Sequence, residues 1–440
     1  MRREVLYQSA LWKTFGMLIF FLGFEFNGFA QQRITLPECI NQALESNYAI
    51  KIIRNEASMA KNSVDYSYFL PSLAIDARQN QTRNDVKTES NAGEISKLSD
   101  VKTDNYSAGV ALNWRLFDGL EMFTTHERYK ELESRGELSV KMAVENLIVE
   151  VSAAYYDVLV QQHRLKAAKH SLNLSKERYD EARVRHQIGN MAGLESQQAK
   201  IDLNSDSSAF VQQKEMVKSA YINLNKLMNV DLQKVAYVQD TILLDLPLEM
   251  ATLEKNTLVR NTALLIAKKE QKISALDLKN ARAVLFPTLD FSSGYNYNKT
   301  DAPASNTKLN RTNGFYWGFS VNIPVFSRMQ NRTKIRNARL EQENSELSYK
   351  EVEKETLGDL ALLYNTYENN LLMVGFERES ADVAEKNLDA ALEKYKLGSL
   401  SGIEFREFQR SYLDAVDRML LALYQAKVSE LSLLLISGGI

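Results

Sequence analysis

"RHQIGNMAGLE" (185–195) and "KYKLGSLSGIE" (394–404) are one phrase written twice, 209 positions apart. Gly189, Gly193 and Glu195 return as Gly398, Gly402 and Glu404. Both copies interrupt segments rich in Leu, Ala, Glu and Lys, and no proline follows Pro324. An interior glycine costs a helix about 1 kcal/mol relative to alanine. A chain that twice breaks a long helix in this way is turning a helix–helix corner, and the exposed backbone at glycine suits the corner to close approach by another helix.

The repeat extends outward. The same shift relates "GVALNWRLFD" (109–118) to "GFSVNIPVFS" (318–327), while "LPSL" (70–73) and "FPTL" (286–289) are 216 apart. The difference falls in a polar loop, where insertions are tolerated. The chain therefore reads as a duplication, with a first repeat over 31–228, a linker over 229–256 and a second repeat over 257–440. Each half follows one order: helix, strand, polar loop, strand, very long helix, glycine corner, return helix. The opening helix starts at "TLPE", where Thr35 and Glu38 have capping-box spacing and Pro37 lies in the tolerant first turn. Long helices are expected over about 119–188 and 328–397, after Asp118 and Ser327 as N-caps. Return helices are expected over about 192–228 and 401–436. From Leu147 to Ala182 apolar and small residues recur in alternating steps of four and three, a coiled-coil seam. A helix of roughly 69 residues spans on the order of 100 Å.

Four strands are expected, at about 71–81, 106–117, 287–298 and 315–326. "LDFSSGYNY" (289–297) and "WGFSVNIPVF" (317–326) alternate apolar and polar residues, as does "VALNWRLF" (110–117). That pattern fits membrane β-strands of roughly 9–11 residues, and equally a soluble sheet packed on one face. Pro71 and Pro287 stand at the strand starts, and Trp114 and Trp317 resemble an interfacial aromatic girdle. The long helices favour the membrane reading. Four strands cannot close a barrel, open edges in lipid are costly, and single-chain bacterial barrels begin at about eight strands. The chain is expected to pool strands with copies of itself, with polar loops 82–104 and 299–313 outside the cell.

Bulk composition narrows the class. A net charge of -2 across 440 residues gives no basic face for nucleic acid. Arg2, Arg3 and Lys13 precede the apolar run "FGMLIFFLGF" (15–24), and small residues at Gly28 and Ala30 suit cleavage, so 1–30 reads as a signal peptide. Cys39 is the single cysteine, which supports neither a disulfide framework nor lipid attachment. The four histidines, His126, His163, His170 and His186, form no HExxH pattern, and no nucleophile elbow, Walker loop or dinucleotide fingerprint occurs. Neither catalysis nor a cofactor nor a metal site is expected.

With "ITLPECINQALESN", the "LP" and "FP" strand starts, "NWRLFDG" with "NIPVFSR" and the paired glycine corners in hand, the chain resembles a TolC-type outer-membrane efflux protein over essentially all of its mature length. The resemblance implies a mainly helical fold with membrane β-structure: a homotrimer whose four strands per chain form a twelve-stranded β-barrel, continued by a periplasmic α-helical barrel. The linker and the C-terminus would supply part of an equatorial region. It implies a passive exit duct in the outer membrane of a Gram-negative cell, reaching into the periplasm. A periplasmic adaptor protein would dock at Gly189, Gly193, Gly398, Ser399 and Gly402, with an inner-membrane RND or ABC-type pump behind it. Glu195, Tyr395, Glu404 and Glu407 match periplasmic gate positions, and rings of Glu404 and Glu407 would favour cations and respond to pH through raised pKa values. Leu400 departs from the pattern, standing where an arginine can bridge neighbouring coils. The rival reading is a non-channel coiled-coil or adhesin protein of the cell envelope, which accounts for the helices but not for the two strand pairs.

Overall fold

A computed structural model describes residues 33–440, apart from 92, 190–191, 236, 239–240, 245–247 and 304–306. The expected signal peptide at 1–30 lies outside the described residues. The first repeat contains β1 (Arg33–Ile34), α1 (Leu36–Ser46), α2 (Tyr48–Asn62), β2 (Ser72–Glu89), β3 (Ile95–Phe117), α3 (Glu121–Gln187) and α4 (Gly193–Met228). After β4 (Tyr237–Val238), the second contains α5 (Met250–Arg260), α6 (Thr262–Ala283), β5 (Thr288–Asp301), β6 (Leu309–Asn322), α7 (Gln330–Lys396) and α8 (Gly402–Ile436). Both long helices have 67 residues. The Asp118 carboxylate accepts the Met122 N–H at 3.2 Å, and the Ser327 hydroxyl accepts the Asn331 N–H at 3.4 Å.

The opening helix of each half is not continuous. It breaks at Asn47 in one, with φ -60° and ψ 129°, and at Asn261 in the other, with φ -57° and ψ 122°. The Asn47 amide donates to the Leu227 carbonyl at 3.0 Å, and the Asn261 amide to the Ile436 carbonyl at 2.9 Å. Leu227 and Ile436 are again 209 apart. At each break an asparagine thus satisfies a carbonyl that the end of the return helix leaves without a partner. Because α5 starts at Met250, the span read as linker up to 256 is partly helical.

Four strands form one antiparallel sheet in the order β2–β3–β5–β6. The cross-strand register aligns Ile75, Val110, Tyr295 and Phe315 in one row and Trp114, Phe291 and Phe319 in another. On this face Ile75 is 80% exposed, and Phe315, Trp317, Phe319 and Val321 are also open. No described element covers it, as the soluble-sheet reading would require. The opposite face carries Asp76, Gly109, Asn296 and Gly314 in one row and the Arg115–Asp290 pair at 2.9 Å in another.

The strands run further than expected. Residues 82–89, 95–104, 299–301 and 309–313, read as polar loop, continue both hairpins. Polarity there marks a strand with two wet faces rather than a loop. At the other end β6 stops at Asn322 instead of 326, because Pro324 lacks the N–H a ladder needs.

Two compact units interleave along the sequence: Met1–Asn47, Leu147–Asp245 and Glu368–Val428 make one, Tyr48–Asn146, Leu246–Tyr367 and Ser429–Ile440 the other. In the second unit, neighbouring helices follow the strand order. Gly136 of α3 lies against Ala57 and Ala60 of α2. α3 meets α6 through Arg128–Asp277 at 2.6 Å, Arg135–Glu270 at 2.5 Å and Lys269–Glu131 at 2.8 Å, and α6 meets α7 at Ser274 and Ser345. The layer leaves α2 and α7 as its edges, with Tyr48, Ile52 and Met59 exposed on one and Leu340 and Leu347 on the other. By length and composition α8 is apolar enough to cross a bilayer, though Lys427 and Glu430 break the run; both are buried, alongside Ala426 and Leu433.

Candidate functional site

Both glycine corners are helix terminations of one kind. Gly189 has φ +79° and Gly398 φ +72°, a left-handed conformation that disfavours any residue with a Cβ. At the second corner the Gly398 N–H donates to the Tyr395 carbonyl and the Ser399 N–H to the Lys394 carbonyl, each at 3.0 Å. These are the two bonds of a Schellman closure. Ser399 adds its hydroxyl to the Lys394 carbonyl. At the first corner the Gly189 N–H donates to the His186 carbonyl at 3.0 Å.

What surrounds the corners is apolar and open. Ile188 is 65% and Leu194 77% exposed, and their counterparts Leu397 and Ile403 are 82% and 79% exposed. Such residues normally lie inside. Four of them flank the two turns, at positions related by the 209-residue shift.

The expected gate residues part company. Tyr395 is buried among Leu174, Leu388, Ala391 and Phe405, its ring stacked on Phe405 at 5.4 Å. Burial, with the Glu181 charge, pushes its hydroxyl above the ordinary value. Arg185 lies over the same ring and donates to the Lys396 carbonyl at 3.1 Å, joining the two corners. Leu400 packs against this cluster. Glu195, Glu404 and Glu407 are exposed. Glu404 is the partner in a capping box: its carboxylate accepts the Ser401 N–H at 2.9 Å and hydroxyl at 2.7 Å, and its own N–H donates back to that hydroxyl. The Ser401 backbone bond, then its hydroxyl, holds the Glu404 carboxyl below the usual range. The expectation of a raised pKa is thereby corrected for Glu404 within the chain, since a carboxylate accepting hydrogen bonds prefers its charge.

Sequence reading missed a buried polar cluster nearby. Asp206 accepts from both terminal guanidinium nitrogens of Arg406, at 2.6 and 2.8 Å, and from the hydroxyl of Ser175. Gln409, fully buried, donates to the Ser171 carbonyl at 2.9 Å and to Asp206 at 3.2 Å. Arg178 binds Asp202 and donates to the Gly402 carbonyl at 2.9 Å. Burial works against the Arg406 charge, but Asp206 outweighs it and keeps the guanidinium more basic than usual. The cluster ties α8 to α3 and α4. Its signal lay in the repeat itself: the positions matching Ser175, Arg178, Asp202 and Asp206 are Ala384, Asn387, Ser411 and Ala415. There Ala381, Ala384 and Ala415 form an apolar cluster instead.

The strand-start residues keep their places. Pro71 and Pro287 each directly precede a strand. The Trp114 indole donates to the Phe69 carbonyl at 2.9 Å, and Trp317 lies edge-on to Phe319 at 6.2 Å. Among the described residues no His, Cys, Asp and Glu cluster suits a metal ion.

The outer membrane efflux protein family matches residues 39–230 and 253–439. The outer membrane protein TolC of Vibrio cholerae is 22% identical over 423 residues, covering 90% of this chain and 89% of that one. The cation efflux system protein CusC of Escherichia coli O157:H7 is 21% identical over 440 residues, covering 98% and 89%. The solved CmeC outer membrane channel of Campylobacter jejuni superposes with a TM-score of 0.78 at 17% identity, over 92% of this chain and 85% of that one.

Proposed function

Since the chain belongs to the outer membrane efflux protein family, and so to the exit ducts of the Gram-negative outer membrane, we propose that it works as a homotrimer docked at its helix corners to a periplasmic adaptor. Four strands with two unpaired edges call for more strands, and three copies supply twelve. The helix layer has the same need, with apolar side chains open on α2 and α7. The adaptor, a helical-hairpin protein, would seat on Ile188, Leu194, Leu397 and Ile403 around Gly189, Gly193, Gly398, Ser399 and Gly402. The open apolar quartet at both turns is the observation that carries this reading. Docking would draw in an inner-membrane RND or ABC-type pump, which supplies the energy and selects the cargo. The duct itself performs no chemistry in this account. Glu195 and Glu407, exposed near the corners, would line the periplasmic mouth, whereas Tyr395 holds the corner's core and Glu404 caps α8.

Photo-crosslinking in cells from a probe at Ser399 tests the docking. Recovery of an adaptor, and with it the pump, is expected. Capture of only sister subunits while export is active would reduce the glycine corners to turns.

A further inference from the structure

From Ile323 to Arg339 the sequence is "IPVFSRMQNRTKIRNAR", with five cations and no acid. Arg328, Arg332, Arg336 and Arg339 follow in steps of four, four and three, and the last three share one face of α7. All four are exposed, and none has a side-chain hydrogen bond or ion pair to a described residue. The matching positions of the first repeat are Gly119, Phe123, Glu127 and Lys130. The α3 cations Arg128 and Arg135, by contrast, are paired with acids of α6.

Folding alone gives no reason for this stripe. The first turn of α7 has no acid, and cations near a helix N-terminus oppose the macrodipole. Arg328 has φ +51° where the first repeat places Gly119 at φ +73°. A side chain is disfavoured in that conformation, yet an arginine occupies it. Directly upstream, Ile323, Val325 and Phe326 are all exposed, Val325 at 92%, and Met329 beside Arg328 is exposed too. Ile323 and Val325 continue the alternation of Trp317, Phe319 and Val321. Apolar residues giving way to arginines is the order expected where a chain passes from hydrocarbon into a headgroup layer. Helical side chains lean toward the N-terminus, so Arg332, Arg336 and Arg339 of α7 lean back toward the apolar segment.

We propose that Arg328, Arg332, Arg336 and Arg339 bind the phosphate headgroups of anionic phospholipid in the leaflet where β6 ends. This rests on the reading of the sheet as membrane-embedded. Arginine suits the task because its planar fork takes two phosphate oxygens at once, and basic groups beside a membrane attract anionic lipid.

Native mass spectrometry of the assembled protein, released from an equimolar mixture of phosphatidylglycerol and phosphatidylethanolamine with matched acyl chains, tests this. The wild type is expected to retain phosphatidylglycerol preferentially. Arg332→Gln with Arg336→Gln should lower the ratio of the two retained lipids about tenfold, and the corresponding lysine pair, which keeps the charge but not the fork, should keep part of it. Equal lipid retention in wild type and glutamine variant overturns the proposal. So does displacement of the lipid by inorganic phosphate, which would make this a free-anion site. Loss of subunits from the glutamine variant would assign the stripe to subunit contact, and altered ion selectivity at unchanged lipid ratio would assign it to the bore; either overturns it. Mass and conductance of the wild type, read in the same preparation, separate the two levels. A normal trimeric channel without lipid preference sinks this inference alone, and a chain that neither assembles nor conducts sinks the channel reading and the inference with it.

Discussion

Asp206 accepts from four side chains at once, those of Arg406, Ser175, Ser171 and Gln409. Asp206→Ala strands the Arg406 charge in a buried site and should cost about 3–5 kcal/mol. Adding Arg406→Leu should recover much of that, since apolar replacement of a buried pair is often neutral; thermal unfolding of the two variants checks the order. At the corner, Ser401→Ala removes the N-cap of α8 and should cost about 1 kcal/mol, read as faster amide exchange in its first turn. Glu404 has a folded pKa below its unfolded one, so its contribution is complete above the unfolded value and disappears as pH falls through the folded value. Acid titration of exchange at Phe405 should therefore show a step that Glu404→Gln removes. Burial pushes the Cys39 thiol up to about 12, so a maleimide should label it only after unfolding. Gly189 and Gly398 were legible because left-handed backbone leaves few alternatives. Arg178, Asp202 and Asp206 were not, because a buried charge and a solvated one look alike in a charged helix.

Helix and strand identities followed from periodicity, and their limits mostly from caps. Asp118 and Ser327 each accept an N–H of the first turn but stand two residues ahead of the N-cap position, so α3 and α7 start at Glu121 and Gln330 rather than directly after them, as the sequence suggested. The breaks at Asn47 and Asn261 were illegible, since asparagine is only mildly unfavourable inside a helix and its distant partners are tertiary. Asn261 caps α6 through the Leu264 N–H at 3.0 Å while binding the Ile436 carbonyl. Asn261→Ala should therefore cost about 1–3 kcal/mol, and Asn261→Asp, which keeps only the capping acceptor, should fall between; calorimetry distinguishes them. The outer parts of the hairpins were misread because polarity was taken for irregularity.

At the scale of the molecule, the duplication carried most of the argument. One shift fixed the element order twice over, and the open sheet follows from four strands that no further strand among the described residues completes. Detergent-extracted native protein should have the mass of three chains, and a stable monomer would overturn the proposed barrel. Leu397→Asp with Ile403→Asp should leave that mass unchanged while abolishing adaptor capture from Ser399. On the proposed reading the duct follows a pump and need not discriminate between cargoes itself.

Beyond Asp104 and Asp301 the hairpin of β2 and β3 continues without a third strand, and its turn closes through Gly93, whose N–H donates to the Ser90 carbonyl at 2.9 Å. Nothing lies within 4 Å of a Cβ placed on Gly93. This ribbon therefore forms a ready-made display site. A short epitope inserted beside Gly93 would lengthen a loop at little entropic cost and leave the sheet's register untouched. On the proposed topology, antibody would then stain intact cells, a direct way to count assembled ducts at the cell surface.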